Sequence, residues 1–181
     1  MELKDIGQLY LHRQSCRAFD PDRPVSDELL TEICRLALLA PSACNSQPWK
    51  LLAVTGEKAK ALAAGVQDLG MNKFASDAPA FVVVLEGTGN LSATVGSRFK
   101  NTDFLHNDIG IMTAHLVLAA DAAGLSTCIL GWRSEKKLRE ILGLPEKVRI
   151  PHIVAVGYAA EGYEIREKKR KSLEDTFSLV R

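Results

Sequence analysis

The chain has 181 residues, room for one domain of ordinary size, or one domain with a tail. Hydrophobic residues make up 46% and charged residues 25%, a globular balance that excludes a disordered chain. With 23 Lys and Arg against 22 Asp and Glu, the net charge is +1, so no global field draws in nucleic acid.

Residues 3–12 space Leu3, Ile6, Leu9 and Tyr10 as one face of a helix. Residues 13–24 are polar and turn-rich. Ser26 reads as an N-cap, with Asp27 and Glu28 in the first turn, where the helix dipole favours acids. Leu29, Leu30, Ile33, Cys34, Ala37 and Leu38 continue that helix as an apolar stripe, and Pro41 stops it. The spacing predicts a strand over 51–54, a helix over 57–67 and a buried, valine-rich strand over 80–85. Residues 87–99 show no clear period.

A long helix is expected over 104–123. It carries Ile109, Met112, Leu116, Ala119 and Ala123 on one side, and also Ile111, Leu118 and Ala122. That breadth points to a central or interface helix. Gly124 is its expected stop. A strand follows over 126–130, then a helix from the Ser134 cap through Leu142, with Glu135 and Arg139 at i,i+4 and Gly143 closing it. Residues 150–158 form the last predicted strand. The remainder carries the basic run Lys168-Lys169-Arg170-Lys171, yet ends on Leu173, Phe177, Leu179 and Val180. A solvated tail has no reason to carry those apolar residues, so docking on its own body or on a second subunit is expected.

Cys16, Cys34, Cys44 and Cys128 form no C-x-x-C pair and no zinc spacing. The first residues hold no apolar signal core, and no apolar run reaches the ~18 residues of a membrane span. The expectation is a cytoplasmic protein with reduced thiols and no membrane partner. Walker A and H-E-x-x-H motifs are absent. Residues 124–128 miss the nucleophile elbow at its last glycine. Residues 87–92 approach a dinucleotide fingerprint but place Ser92 at the third glycine, and read as a turn. Asp103 with His106, and Asp108 with His115, lack companions to complete a metal site. Together with His12 and His152 they read as satisfied or exposed side chains.

Three segments carry more. In Arg13-Gln14-Ser15-Cys16-Arg17, an extended backbone would put Arg13, Ser15 and Arg17 on one side, a comb suited to phosphate. The alternative is three exposed polar residues. In Pro41-Ser42-Ala43-Cys44-Asn45-Ser46-Gln47-Pro48-Trp49, small residues admit a flat ligand, and Asn45 and Gln47 offer both donors and acceptors. An Asx-turn with Trp49 in the core is the plainer reading, and the two are compatible. The basic run at 168–171 reads as a solvated patch, since a nucleic-acid surface would need aromatic interleaving or a wider basic face and neither is present.

In this order the three segments resemble the nitroreductase family of FMN-dependent oxidoreductases. The similarity resumes at Gly124-Leu125 through Gly131-Trp132, at Ile141-Leu142-Gly143-Leu144-Pro145, and at Val156-Gly157-Tyr158. The resemblance implies an α+β fold of three α/β/α layers, with a mixed, largely antiparallel sheet flanked by helices. It implies one domain over 1–181, whose arm 159–181 wraps the partner of an intertwined homodimer, and two FMN sites at the interface. Arg13, Gln14, Ser15, Arg17, Lys168 and Arg170 match positions that hold the phosphate and the pyrimidine edge. Pro41, Ser42, Ala43, Asn45 and Gln47 match the loop that the partner subunit supplies. Ile129, Leu130 and Gly131 match the turn over the flavin, and Asn72 and Lys73 fall near a further flavin contact.

The implied activity is ping-pong transfer from NAD(P)H through FMN to a nitroaromatic, a quinone or a similar small acceptor, with no catalytic side chain and no metal. A flavin store or sensor, or a flavin-fragmenting or dehalogenating branch, would share the same cradle. Two departures stand out: Leu130 replaces an acidic residue common in the family, and the segment 86–101 is short.

Overall fold

The computed structural model describes residues 2–88 and 102–181. Most of the glycine-rich turn at 87–92 and of the short segment 86–101 therefore lies outside the described residues.

Helix α1 spans Leu3–His12 and α2 spans Asp27–Ala37. They are followed by strand β1 (Trp49–Thr55), helix α3 (Gly56–Val66) and strand β2 (Ala80–Glu86). The chain continues through α4 (Phe104–Ala122), β3 (Ser126–Leu130), α5 (Glu135–Leu142), β4 (His152–Gly157) and a last short helix, α6 (Leu173–Thr176). The expected caps are in place. Ser26 Oγ accepts from the Leu29 N–H at 3.2 Å and Ser134 Oγ from the Lys137 N–H at 3.4 Å. Gly143 closes α5 at φ +64°, a left-handed conformation that glycine adopts without steric cost.

The strands form one sheet in the order β1-β2-β4-β3, with every neighbouring pair antiparallel. Among the described residues the parallel component is a single bridge, Ser15 beside Thr127, with the Cys16 N–H donating to the Thr127 carbonyl at 2.8 Å. Alternation along the strands divides the core in two. Phe81, Val83 and Leu85 of β2 and Ile153 and Ala155 of β4 pack with Leu62 and Val66 of α3 and Leu138 of α5. Val82, Val84, Val154 and Val156 point the other way, against Leu30 and Ile33 of α2 and Ile109, Met112 and Leu116 of α4. Covering both faces explains the unbroken apolar runs in β2 and β4. The result is three layers, helices on each side of the sheet.

Within the chain, only one stripe of α4 is buried: Asp108, Ile109, Met112, Thr113, Leu116, Val117 and Ala120. Ile111 is 40% exposed, and Ala114 and Ala122 also face outward. The arm after β4 is extended apart from α6, and Leu173, Phe177, Leu179 and Val180 are all exposed. Both features leave apolar surface that this chain does not cover.

One close approach fixes where β4 ends. A Cβ on Gly157 would stand 2.6 Å from Pro79 Cδ and 3.0 Å from Phe19 Cδ1. The proline ring cannot swing aside, and Phe19 is stacked on Phe74 with ring centroids 6.4 Å apart. Gly157→Ala should therefore destabilise the protein by about 1–3 kcal/mol through overpacking, read as a lower urea midpoint at unchanged slope.

Candidate functional site

Residues 13–17 alternate as an extended segment must. Gln14 and Cys16 point inward and are buried, while Arg13 and Ser15 are half-buried and Arg17 is exposed. The segment lies beside the outer strand β3 through the Ser15–Thr127 bridge. Opposite it runs the arm at 164–170. The two segments are tied by Gln14, whose Nε2 donates to the Glu164 carbonyl at 2.9 Å. Its Oε1 accepts from the Arg166 backbone N–H at 3.2 Å and from Arg166 Nε at 3.1 Å. Lys168 Nζ donates to the Arg13 carbonyl at 2.7 Å, and Arg166 Nη2 donates to the Ser15 carbonyl at 2.8 Å. Tyr163 adds two further links, accepting from the Arg17 N–H at 3.1 Å and donating to the Ser15 carbonyl at 3.3 Å.

Between the segments lies a cleft of about 560 Å³, lined by Arg13, Gln14, Ser15, Arg17 and residues 166–170. Its wall carries six cationic side chains and one acidic one, Glu167. Partial loss of water pushes the Lys168 ammonium below its ordinary range, and the charges of Arg13, Arg170 and Arg166 push it further the same way, with Asp121 partly offsetting them. Like charges crowded at one cleft favour an anion with several oxygens, and arginine forks match phosphate geometry. Arg13, Ser15 and Arg17, the comb expected from the sequence, all line this cleft. Gln14 belongs to the cleft as its strut, with its amide committed to the arm.

Arg166 was missed by the sequence reading. It stands two residues before Lys168, as Lys168 stands two before Arg170, and that spacing was the available signal. Asp108 was read only as a metal candidate. It is buried, and its carboxylate accepts from the Ala43 N–H at 3.1 Å on both oxygens, anchoring the loop at 41–47 to α4. Inside that loop, Ser42 Oγ accepts from the Gln47 N–H at 2.9 Å, and Gln47 Nε2 donates to Asn45 Oδ1 at 3.0 Å. Cys44, Asn45 and Gln47 all take positive φ, 52°, 48° and 46°, a costly conformation for non-glycine residues. Trp49 is in the core, as the plainer reading expected. None of 41–47 lines the cationic cleft of the same chain.

The turn after β3 is braced at each residue. Ile129 is 45% exposed whereas Leu130 is buried, because strand alternation sends the Leu130 side chain into the core. The Gly131 carbonyl accepts from Arg133 Nη1, and Arg133 Nε donates to the Ile150 carbonyl at 2.6 Å. Asn72, left-handed at φ 55°, donates from Nδ2 to the carbonyls of Val66 at 3.1 Å and Trp132 at 3.0 Å. Lys73 beside it is exposed. Glu135 gathers Arg133, Arg139 and Arg149 at 3.0–3.2 Å. Burial alone would raise its pKa, but hydrogen bonds from Arg149 and the Ile150 N–H, with the charges of Arg149 and Arg133, hold it below the ordinary value.

The four histidines are occupied elsewhere. His12 Nδ1 meets the Asp121 carboxylate at 2.9 Å, His106 Nδ1 meets Asp103 at 2.6 Å, and His115 Nδ1 meets the Ile111 carbonyl at 2.9 Å. Among the described residues no three His, Cys, Asp or Glu side chains could hold a metal ion. No described helix is long and apolar enough to cross a membrane.

The sequence matches the nitroreductase family over residues 10–69 and 61–158. The chain belongs to the nitroreductase family. A relative from Archaeoglobus fulgidus, provisionally named as an NADH dehydrogenase/NAD(P)H nitroreductase, is 32% identical over 176 residues and covers 91% of each chain. A 4-nitrobenzoate reductase from Pseudomonas putida is 27% identical over 199 residues, covering 87% of this chain and 86% of the relative. A nitroreductase-fold structure from Exiguobacterium sibiricum, solved in complex with FMN, superposes with a TM-score of 0.76 at 21% identity, covering 99% and 98%. The α+β fold expected from the resemblance is therefore that of the family.

His152 carries a pH prediction for this nitroreductase-family chain. The Thr113 hydroxyl donates to the Ile109 carbonyl at 2.8 Å, so at 2.7 Å from His152 Nε2 it must accept, which fixes the neutral tautomer with the proton on Nε2. Burial, and then the Arg133 charge, push the imidazole from 6.5 down to about 4. A depressed folded-state value means stability is whole above pH 6.5 and is lost as pH falls from 6.5 toward 4. At pH 5 the wild-type chain should have lost about 2 kcal/mol more than His152→Gln, relative to each at pH 7. Parallel urea titrations at the two pH values read this, and equal losses would refute it.

Proposed function

We propose that this chain is an FMN-dependent oxidoreductase passing reducing equivalents from NAD(P)H to a small electron-poor acceptor. The observation that carries the reading is the cleft in which Arg13, Arg17, Arg166, Lys168 and Arg170 converge in a chain of the nitroreductase family. The cleft fits the proposed group, since arginine forks, a lysine and the Ser15 hydroxyl form a donor set suited to a phosphate monoester. The names of the archaeal and Pseudomonas relatives, and the FMN bound in the Exiguobacterium structure, support the same reading.

When bound, FMN supplies the hydride chemistry. The chain's residues do the rest. Arg13, Ser15, Arg17, Lys168 and Arg170 hold and neutralise the phosphate, and Gln14 keeps the two cationic segments in register. Ile129, Leu130 and Gly131 place a braced backbone turn beside the ring, and Asn72 fixes that turn while Lys73 adds a cation near it. Fixed positive charge there would stabilise negative charge on the bound group. Pro41, Ser42, Ala43, Asn45 and Gln47 serve the site of the other subunit in a homodimer. The apolar side of α4 left open at Ile111, Ala114 and Ala122, and the apolar arm at 173–180, are the surfaces that such a dimer would bury.

Purified protein reconstituted with FMN should be yellow and bleach under anaerobic NADH or NADPH. Flavin that binds but is not reduced by either would leave the storage or sensor reading. A charge-assisted hydrogen bond is worth about 1.5–3 kcal/mol, so Arg17→Ala should weaken FMN roughly 10- to 150-fold in a fluorescence titration. Arg17→Lys keeps the charge without the planar fork and should fall between. Unchanged affinity would return residues 13–17 to plain surface.

The dimer is tested separately. An interface of the proposed kind should exceed about 2,000 Å² and be core-like. Sedimentation of Phe177→Ser with Leu179→Ser, which leaves every cleft cation in place, should show dissociation at concentrations where the parent stays dimeric. A parent that sediments as a flavin-loaded monomer at micromolar concentration would refute the dimer.

A further inference from the structure

Trp132 is half-exposed, at 50%, yet it is held as tightly as a core residue. Its indole Nε1–H donates to the Asp68 carbonyl at 2.8 Å, and its own carbonyl accepts from Asn72 Nδ2 at 3.0 Å. On either side of it in sequence, Gly131 is gripped by Arg133 and the Ser134 N–H donates to the Gly65 carbonyl at 3.3 Å. The chain's other tryptophan, Trp49, is 8% exposed and belongs to the core.

The elements that hold Trp132 are themselves strained. Leu69 and Asn72 both take left-handed backbone, φ 52° and 55°. For non-glycine residues this conformation is costly and tends to persist where surrounding contacts over-determine it. Leu69 gains nothing by burial, since its side chain is 83% exposed. What the bent segment 67–73 accomplishes is to aim the Asp68 carbonyl and the Asn72 amide at Trp132. The N–H edge of the indole is thereby used up, and the exposed remainder of the ring is apolar π surface.

A pinned aromatic loses little entropy on contact with a ligand. Its electron-rich face complements the face of an electron-poor planar ring. We propose that the Trp132 indole is the seat on which the aromatic electron acceptor stacks, making it a specificity-determining residue of the site. The proposal rests on the functional reading above, which puts the Gly131 turn beside the flavin ring. It names the acceptor class as planar aromatics carrying electron-withdrawing groups, in preference to non-aromatic oxidants.

The test uses the full chain loaded with FMN, oxidised and without reductant, so no turnover contributes. Binding of 4-nitrobenzoate is followed by its perturbation of the flavin spectrum. Trp132→Ala should raise the dissociation constant about 3- to 10-fold. Trp132→Phe keeps a ring face but loses the N–H that pins it, and should fall between the parent and Trp132→Ala. FMN affinity, sedimentation and steady-state reduction of ferricyanide should be unchanged in both. If Trp132→Phe is as weak as Trp132→Ala, the indole merely ties the turn through its N–H and the assignment fails. Parent-like binding by Trp132→Ala, or ferricyanide reduction falling in step with it, overturns the assignment too. Altered FMN affinity would place Trp132 in the flavin cradle, and a loosened dimer would make the patch a subunit contact; either result refutes the acceptor seat. A parent chain that takes up no FMN is seen before any acceptor is added, and removes the functional reading together with this inference.

Discussion

Gln14 is an uncharged side chain buried between two segments that would otherwise repel. Arg13 and Arg17 flank it on one side, and Arg166, Lys168 and Arg170 face it from a segment about 150 residues away. Unit charges a few ångströms apart cost about 1 kcal/mol per pair even in water, and several-fold more near a protein surface. The amide counters this by giving one donor and one acceptor to the backbone of the arm, and by accepting from Arg166 as well. The arginine and lysine at 166 and 168 contribute too, spending protons on the carbonyls of Ser15 and Arg13. The cleft is therefore held in a charged state, and the Lys168 ammonium is depressed first by partial loss of water and then by the charges of Arg13, Arg170 and Arg166, which an anion would offset.

That arrangement was half legible in the sequence. The period-two comb at 13–17 is local, so extended geometry alone assigns its sides. The facing segment is not local. Lys168 and Arg170 entered through family resemblance, and Arg166 escaped because Glu167 separates it from the basic run, so that only its spacing of two from Lys168 links it to them. The same limit applies at 129–131. Strand alternation would have told Ile129 from Leu130, since only Ile129 can face away from a covered sheet, but the resemblance named both. The fold itself was more legible. Capping serines at 26 and 134, closing glycines at 124 and 143, and uninterrupted apolar runs at 80–85 and 153–156 each follow from nearest-neighbour chemistry. Strand ends were less so, because Trp49 joins β1 through the turn that precedes it, and β4 starts two residues later than its apolar run.

Among the described residues, left-handed backbone at non-glycine positions gathers at two places, residues 44–47 and residues 69–72. Neither is legible in the sequence, since none of the five residues, Cys44, Asn45, Gln47, Leu69 and Asn72, is a glycine, and bonds from other elements accompany the conformation. Asp108 captures the Ala43 N–H and Ser42 captures the Gln47 N–H at the first place. Trp132 captures the Asp68 carbonyl and Asn72 captures the Trp132 carbonyl at the second. Each loop is bent so that one backbone group reaches a side chain on another element. Stored strain of this kind belongs with rigid presentation of a surface and gives a physical reason to look for ligands at both loops.

The remaining chemistry of the chain is notable for how little of it can move a proton. All four histidines are tied to a carboxylate, a carbonyl or a hydroxyl, and His152 is kept neutral by burial. Burial also raises the thiols of Cys16, Cys34 and Cys128, the second to about 11, which makes them poor nucleophiles at neutral pH. Glu135 is saturated by three arginines and a backbone N–H. Among the described residues, fixed positive charge gathers in the cleft at 13–17 and 166–170, and a pinned aromatic face stands one residue beyond Gly131. Such a surface can bind, orient and polarise, and it suits a reaction whose bond-making is supplied by a bound redox group. On these residues the protein contributes electrostatics and a flat apolar surface, while Gln14, Asp108 and Glu135 hold the arm, the loop at 41–47 and the turn after β3 in place.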